Sequence, residues 1–482
     1  MVVERVLVLL YLLACIGIGV FASRKVLASR DEYWVAGRRI GTAVNAMAIM
    51  ASLASGGSII GVMGLAYSQG IPATLALFAG AVVGFPLASI LVARQLRAFG
   101  RYTITDFLAF RFPSPVVRLL VPVLIVIAFS VYIVAQLKAA GITAHALLDI
   151  PYDTALVIAT LVFITYVSIG GMIAITWTDV VQGLIMLVVV LGTALAVVWR
   201  AGSPLELMRQ TTAVAPELGR LADRDIGISL GYFVIWATAI PVIPHIVMRV
   251  FTAKDGRSAQ LSLNLAMLAY SVMILAAVLA IVPVGKLGFP GLDDADQVFL
   301  RVIQSEFPAF VRGIAVAAVL AAVMSTTDAL LLACSSAIAH DLLGEFLRRR
   351  ASERALAAVR VASAWAIGIL ALYWALAPPE LLSRFYTAGI GLLSAGLFVP
   401  TVAGLWWKRA NRVGGVAALV AGAGSYALAL AGGLDLGLPP IVVALLSSSV
   451  SMLAGGLLGA PDSRSMTEQI AALHARPVSD ER

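Results

Sequence analysis

The residues with the plainest chemistry are Ser325, Thr326, Thr327 and Asp328. They sit in a run from Gly313 to His340 made largely of Ala, Val, Leu, Ile and Met, and Asp328 is its one carboxylate. An aspartate near the middle of a membrane span costs about 2.5–3.5 kcal/mol on insertion scales, so such a residue faces a bundle interior, a water-filled cavity or an ion. On a helix, Ala322, Ser325 and the Asp328/Ala329 pair share one face. That face is a line of oxygen atoms suited to a hard, small cation, sodium first.

Three further segments set polar or helix-breaking residues at membrane depth. Ala51-Ser52-Leu53-Ala54-Ser55-Gly56-Gly57-Ser58 reads in two ways. Small residues, with a GxxxG at Gly57/Gly61, allow tight helix contact. Paired glycines between serines also suit an unwound helix, whose freed carbonyls meet an ion and whose freed amides meet a substrate. In Trp236–Arg249, Pro241 and Pro244 remove amide donors and kink or break the helix. Around Gly170-Gly171 and Trp177-Thr178-Asp179-Val180-Val181-Gln182 a helix resumes. There Asp179 reads either as its N-terminal cap or as a carboxylate on an ion route.

The elements that position these residues are membrane helices. The chain has 482 residues, 61% hydrophobic and 12% charged, which is far from a soluble globular composition. A span needs about 20 apolar residues, and about thirteen such runs recur. The first is 6–22, which reads as a span and not a signal peptide because no small-residue cleavage site follows it. The others centre on 44–66, 73–93, 117–140, 155–172, 181–199, 228–248, 262–284, 313–340, 357–377, 386–406, 414–431 and 439–459. The expected organisation is a membrane domain over 1–460, with an extra helix at 6–22, core helices over about 44–406, two further helices within 414–459, and a polar cytoplasmic tail at 461–482.

Alternate connections are basic. They carry Arg24, Lys25, Arg30, Arg38 and Arg39; Arg94, Arg97, Arg101, Arg111 and Arg118; Arg249, Lys254 and Arg257; Arg348, Arg349, Arg350 and Arg354; and Lys408, Arg409 and Arg412. The opposite connections are acidic or neutral, with Asp149/Asp153, Asp293/Asp294/Asp296 and Glu380. The positive-inside rule puts the basic set in the cytoplasm and the N-terminus outside. The expected location is therefore a multi-pass protein of the cell's inner (plasma) membrane. The net charge of +8 is topology and lipid contact, with no need for nucleic acid. The tail is too short for a sensory or nucleotide-binding domain, and no obligatory protein partner is evident. Cys15 and Cys334 lie in apolar spans, which argues against a disulfide. His145, His245 and His340 fall on different helices, with no nucleophile–base pair and no CxxC or HExxH spacing. An enzyme is the weakest reading.

Segments 44–66 and 228–248 are the first and sixth helices counted from the second span. Matching interruptions in two five-helix halves point to an inverted-repeat transporter. The chain resembles the sodium:solute symporter family along nearly its whole length. The resemblance rests on Asp31-Glu32-Tyr33-Trp34-Val35-Ala36-Gly37-Arg38, the Ser-rich first core helix, WTDVVQ from Trp177, PHIVMRVFTAKD from Pro244, and AAVMST followed by ACSSAIAHDL. Ile150-Pro151-Tyr152-Asp153-Thr154 and Pro378-Pro379-Glu380 are similar to stretches of its pantothenate permeases.

The resemblance implies an all-α polytopic fold with an inverted five-plus-five helix repeat. It implies co-transported sodium, held by carbonyls of Ala51, Ala54 and Ala322 and hydroxyls of Ser325 and Thr326. A second ion site maps to Asp179 with Ser325 and Asp328. Substrate positions map to Ser55, Gly56, Ser58, Tyr132, Gln136, Trp236 and Pro244. Two positions depart from the proline permeases: Leu53 replaces an aspartate and Ile240 a tyrosine, which argues against proline. Lys138 lies inside a span with three readings: it snorkels to an interface, pairs with a buried carboxylate such as Asp328, or faces a substrate carboxylate. The expected function is sodium-coupled import of a small organic solute, foremost a carboxylate such as pantothenate or a short monocarboxylate. A sodium/amino acid symporter and a proton-coupled carrier are the alternatives.

Overall fold

The structure is a computed structural model, and it describes residues 2–26, 30–219, 226–343, 353–377 and 381–475. Regular structure among them is helical, as expected where water is absent and each backbone group must be satisfied within its own segment. Among the described residues eleven helices are long and apolar enough to cross a membrane, and a bent pair, Thr42–Leu53 with Gly57–Gln69, makes a twelfth span. The expected span at 155–172 corresponds to a shorter apolar helix, Tyr152–Thr165. There the chain breaks at Gly171, whose φ of 56° takes it out of the helix.

The order along the chain repeats. Each half opens with a broken helix: 42–69, bent by 59°, and 226–252, interrupted between Ile226–Ala239 and Pro244–Thr252. Each continues with a helix carrying one wide turn, at Ser89–Ala93 in the first half and Ala277–Ile281 in the second. Next comes the longest unbroken helix of each half, Pro115–Leu148 and Ala309–Leu342, both of 34 residues. At the basic end the halves are pinned together: the Ile40 amide donates to the Thr252 carbonyl at 3.1 Å, and the Lys254 amide to the Ile40 carbonyl at 3.2 Å.

The chemistry explains the breaks. Pro241 and Pro244 cannot donate, so the Ile243 amide closes the first segment on the Ala239 carbonyl at 2.8 Å, and Pro244 opens the next at a position where no donor is needed. Packing is graded from centre to rim. The apolar window of Ala309–Leu342 is 94% buried, whereas that of Val2–Gly19 is 28% buried. The first is therefore the axis of the bundle. The second shows Leu9, Leu10 and Leu13 on its outer face, which suits a lipid-facing helix.

The C-terminal segment, expected to be a loose polar tail, is docked as far as Ala475. Asp462 pairs with the buried guanidinium of Arg111. Beyond the helix Arg464–Ala472, the His474 ring stands edge-on to Trp406 at 4.7 Å and meets the Leu405 carbonyl at 2.9 Å. The sequence hides this because Arg111 reads as one more cytoplasmic charge.

Candidate ion and substrate site

The break at 54–56 governs the site. Ala54 ends the first half-helix, its amide on the Met50 carbonyl at 2.8 Å, and the Leu53 carbonyl takes the Ser55 amide at 2.8 Å and the Ser58 hydroxyl at 2.9 Å. The glycines serve close approach as well as the bend. A Cβ on Gly56 would lie 2.7 Å from the Ala139 Cβ, and one on Gly57 would lie 2.6 Å from the Tyr386 ring. Close helix contact and a break in the helix therefore occur together in this segment.

Helix Ala309–Leu342 crosses this break. The Ser325 hydroxyl donates to the Ala51 carbonyl at 2.9 Å and also reaches its own Ala322 carbonyl at 3.2 Å. The Thr326 hydroxyl donates to the Ser52 carbonyl at 3.0 Å. Ala51, Ala322, Ser325 and Thr326 thus converge as expected, and the Ser52 carbonyl, which the sequence does not single out, joins them. Ala54 lies in the break itself. These oxygens gather at the C-terminal end of the half-helix Thr42–Leu53, where the helix dipole is negative and attracts a cation.

Beside this cluster is a second, charged one. Asp179 is inside a continuous helical stretch eight residues past Gly171, so it is not a helix cap. One of its carboxylate oxygens accepts from the Ser52 hydroxyl at 3.2 Å and from the Arg249 guanidinium. Arg249, counted above with the cytoplasmic charges, is 1% exposed and also donates to the Thr176 hydroxyl at 2.6 Å. The broken helix carries its last turns back into the bundle, so a residue just short of a basic loop stays inside.

Asp328 is fully buried, and neither of its oxygens has a hydrogen-bond partner. It lies within electrostatic reach of Asp179 and Arg249. The other oxygen of Asp179 and the side-chain carbonyl of Gln182 are likewise unpartnered, while the Gln182 amide donates to the Tyr11 hydroxyl at 3.0 Å. An excess of buried acceptors over donors is the pattern a cation or a proton resolves.

Of the expected substrate residues, five meet directly. The Gly56 amide donates to the Gln136 side-chain oxygen at 2.9 Å, the Tyr132 hydroxyl to Ser55 at 3.1 Å, and the Ser58 amide to Ser55 at 3.1 Å. Tyr386, which the sequence does not single out, completes an aromatic wall. It stacks on Tyr132 at 5.2 Å and stands edge-on to Trp236 at 6.0 Å. Its one signal is its place on a span with Gly389 and Gly391, a pattern too common to be distinctive. The side-chain amide nitrogen of Gln136, the indole nitrogen of Trp236 and both ring nitrogens of His245 are buried without partners. Pro244 starts the second half of its broken helix beside His245. Leu53 and Ile240 are fully buried apolar side chains, so the two departures from the proline pattern lie in the interior of the protein.

Lys138 does not reach Asp328. Its ammonium lies 3.1 Å from Asp296, in the acidic connection before helix Ala309–Leu342, and the side chains are 5% and 0% exposed. The snorkelling reading fails with it, because the pair is buried.

A model described as "Sodium:solute symporter family" matches residues 33–422. The chain is 29% identical over 460 residues to the sodium/pantothenate symporter of Escherichia coli (strain K12), covering 93% of this chain and 95% of that protein. It is 29% identical over 490 residues to the sodium/proline symporter of the same organism, covering 96% and 95%. Among solved structures, the substrate-bound outward-open state of a Na+-coupled sialic acid symporter superposes with a TM-score of 0.79 at 19% identity, covering 96% of this chain and 98% of that one. The chain is a multi-pass membrane transporter and belongs to the sodium:solute symporter family.

Proposed function

We propose that this symporter couples sodium entry to the import of a small organic carboxylate, foremost pantothenate or a short monocarboxylate. The observation that carries sodium is the meeting of the Ser325 and Thr326 hydroxyls with the Ala51 and Ser52 carbonyls. These groups supply oxygens from two helices and no charge of their own, which suits a monovalent cargo ion. Sodium bridging the broken helix to its neighbour orders the segment that lines the substrate cavity, so each ligand raises the affinity of the other.

The carboxylate reading is supported by the buried donors without partners, the Gln136 amide and the Trp236 indole. A carboxylate offers only acceptors and satisfies such groups. The second ion, held by Asp179 and Asp328, has an energetic purpose. A tenfold sodium gradient supplies about 1.4 kcal/mol per ion, and 100 mV adds about 2.3 kcal/mol per net charge moved. One sodium with one anion is neutral and gains nothing from voltage; two recover that term.

A proton-coupled carrier is the second reading, favoured by the bare carboxylate of Asp328. An amino acid cargo is the third, supported by the chain's 28–29% identity to proline carriers. The positive-inside rule places the basic end in the cytoplasm and the first helix's start outside. Uptake of a carboxylate and amino acid panel into proteoliposomes, with and without a sodium gradient, decides among these. Pantothenate or monocarboxylate uptake that needs sodium supports the proposal. Uptake driven equally by a proton gradient without sodium removes it.

A further inference from the structure

The occluded site has a roof. Ser55, Tyr132, Gln136, Trp236 and Tyr386 are all buried. On the acidic side the connection after helix Gly256–Gly288 lies across the second half-helix, Gly57–Gln69. Tyr67 fastens it, donating to the Phe289 carbonyl and accepting from the Leu292 amide at 3.1 Å. Asp296 then enters the bundle. Its carboxylate takes the Lys138 ammonium at 3.1 Å and, on the same oxygen, the Leu382 amide at 3.0 Å. The other oxygen has no hydrogen bond and lies against Gly64, where an added Cβ would collide with it. One side chain therefore joins the connection to three helices, Gly57–Gln69, Pro115–Leu148 and Leu382–Trp406.

Two buried charges make poor cement, because removing both from water offsets most of their attraction. They make a good latch for the same reason. At neutral and higher pH, where the carboxylate is charged, the closed contact holds while ammonium and carboxylate meet, and on opening both recover water. Helix Pro115–Leu148 also carries Gln136, which takes the Gly56 amide, so the latch and the unwound segment share one rigid support.

We propose that the Lys138–Asp296 pair is the latch of the outer gate, a positioning pair that holds residues 289–297 over the substrate cavity and releases them to admit cargo. This rests on the proposed placing of the cavity and of the acidic end outside, but its test needs no cargo.

The reporter is Ser383→Cys with Cys15→Ala and Cys334→Ala. Ser383 is buried, its hydroxyl has no partner, and it follows Leu382 under the roof. Whole cells are treated at pH 8 with a membrane-impermeant maleimide. Lys138→Met leaves Asp296 buried without its cation and is expected to raise the labelling rate about tenfold or more. The apolar pair Lys138→Met with Asp296→Leu fills the same space without charge and is expected to label at least about fivefold more slowly than the parent reporter. A folded Lys138→Met variant that labels at the parent rate overturns the latch. Should that variant not fold, the apolar pair decides alone, and labelling at the parent rate or faster overturns it. Loss of sodium-driven uptake of every carboxylate would instead remove the function proposed above and leave the labelling result intact.

Discussion

The Ser325 hydroxyl rests 2.9 Å from the Ala51 carbonyl, joining the central helix of one half of the fold to the broken helix of the other. Neither residue carries charge, and the proposed sodium site lies where they meet. Ser325→Ala and Thr326→Ala each remove one oxygen and one hydrogen bond, a loss of about 0.5–1.5 kcal/mol. Apparent sodium affinity is expected to fall about three- to tenfold in each, with melting temperature nearly unchanged. Sodium-titrated uptake beside a thermal melt checks this; unchanged sodium dependence in both variants would discard the site.

The Asp179–Arg249 pair predicts an asymmetry. Arg249→Met strands a buried carboxylate, and breaking such a pair costs about 3–5 kcal/mol. Arg249→Met combined with Asp179→Leu is expected to recover most of that stability while sodium coupling stays impaired. Melting curves of the single and double variants report the first part, and sodium-dependent uptake the second.

Gly57→Ala tests the close approach. The new methyl would stand 2.6 Å from the Tyr386 ring, and overpacking of this kind costs about 1–3 kcal/mol. The protein is expected to insert and purify normally but to lose most uptake. A variant that transports at the parent rate would show that Tyr386 is free to move aside.

The roof predicts a pH dependence. Burial pushes the Asp296 carboxyl up to about 6, with Lys138 opposing and Asp294 adding to the rise; Tyr386 also faces it. The closed form therefore binds a proton more tightly than an open, hydrated one, whose carboxyl lies near its ordinary value. Closure is favoured as pH falls through about 6 and weakens as pH rises through it, with a plateau above. In the parent Ser383→Cys reporter, labelling, corrected for the reagent's own pH dependence, is expected to slow by about tenfold between pH 8 and pH 5. A flat corrected profile contradicts this assignment.

Much of this is legible in the chain. Breaks at Gly56-Gly57 and at Pro241/Pro244, and a polar centre at Ser325–Asp328, speak through local chemistry, since backbone without partners and polar groups in hydrocarbon admit few arrangements. Positions that depend on how helices return into the bundle do not show. Arg249 reads as a loop charge, Lys138 as snorkelling, paired with a buried carboxylate such as Asp328 or facing cargo, and Asp296 as one loop acid among three. Tyr386 carries no signal of its own. Each acquires its meaning from a neighbour more than 60 residues away, and neither composition nor periodicity encodes such a pairing.

Because Asp179 and Arg249 cancel, the charge of the proposed second ion site in the unloaded carrier rests on Asp328. If the carrier returns outward with that carboxylate ionised, it moves one negative charge away from an inside-negative cytoplasm, and about 2.3 kcal/mol per 100 mV speeds the return. If it returns protonated, voltage has no hold on that step. The steady-state current at saturating cargo then separates the two: steepening with voltage identifies a carrier that goes home charged, and Asp328→Asn should flatten it.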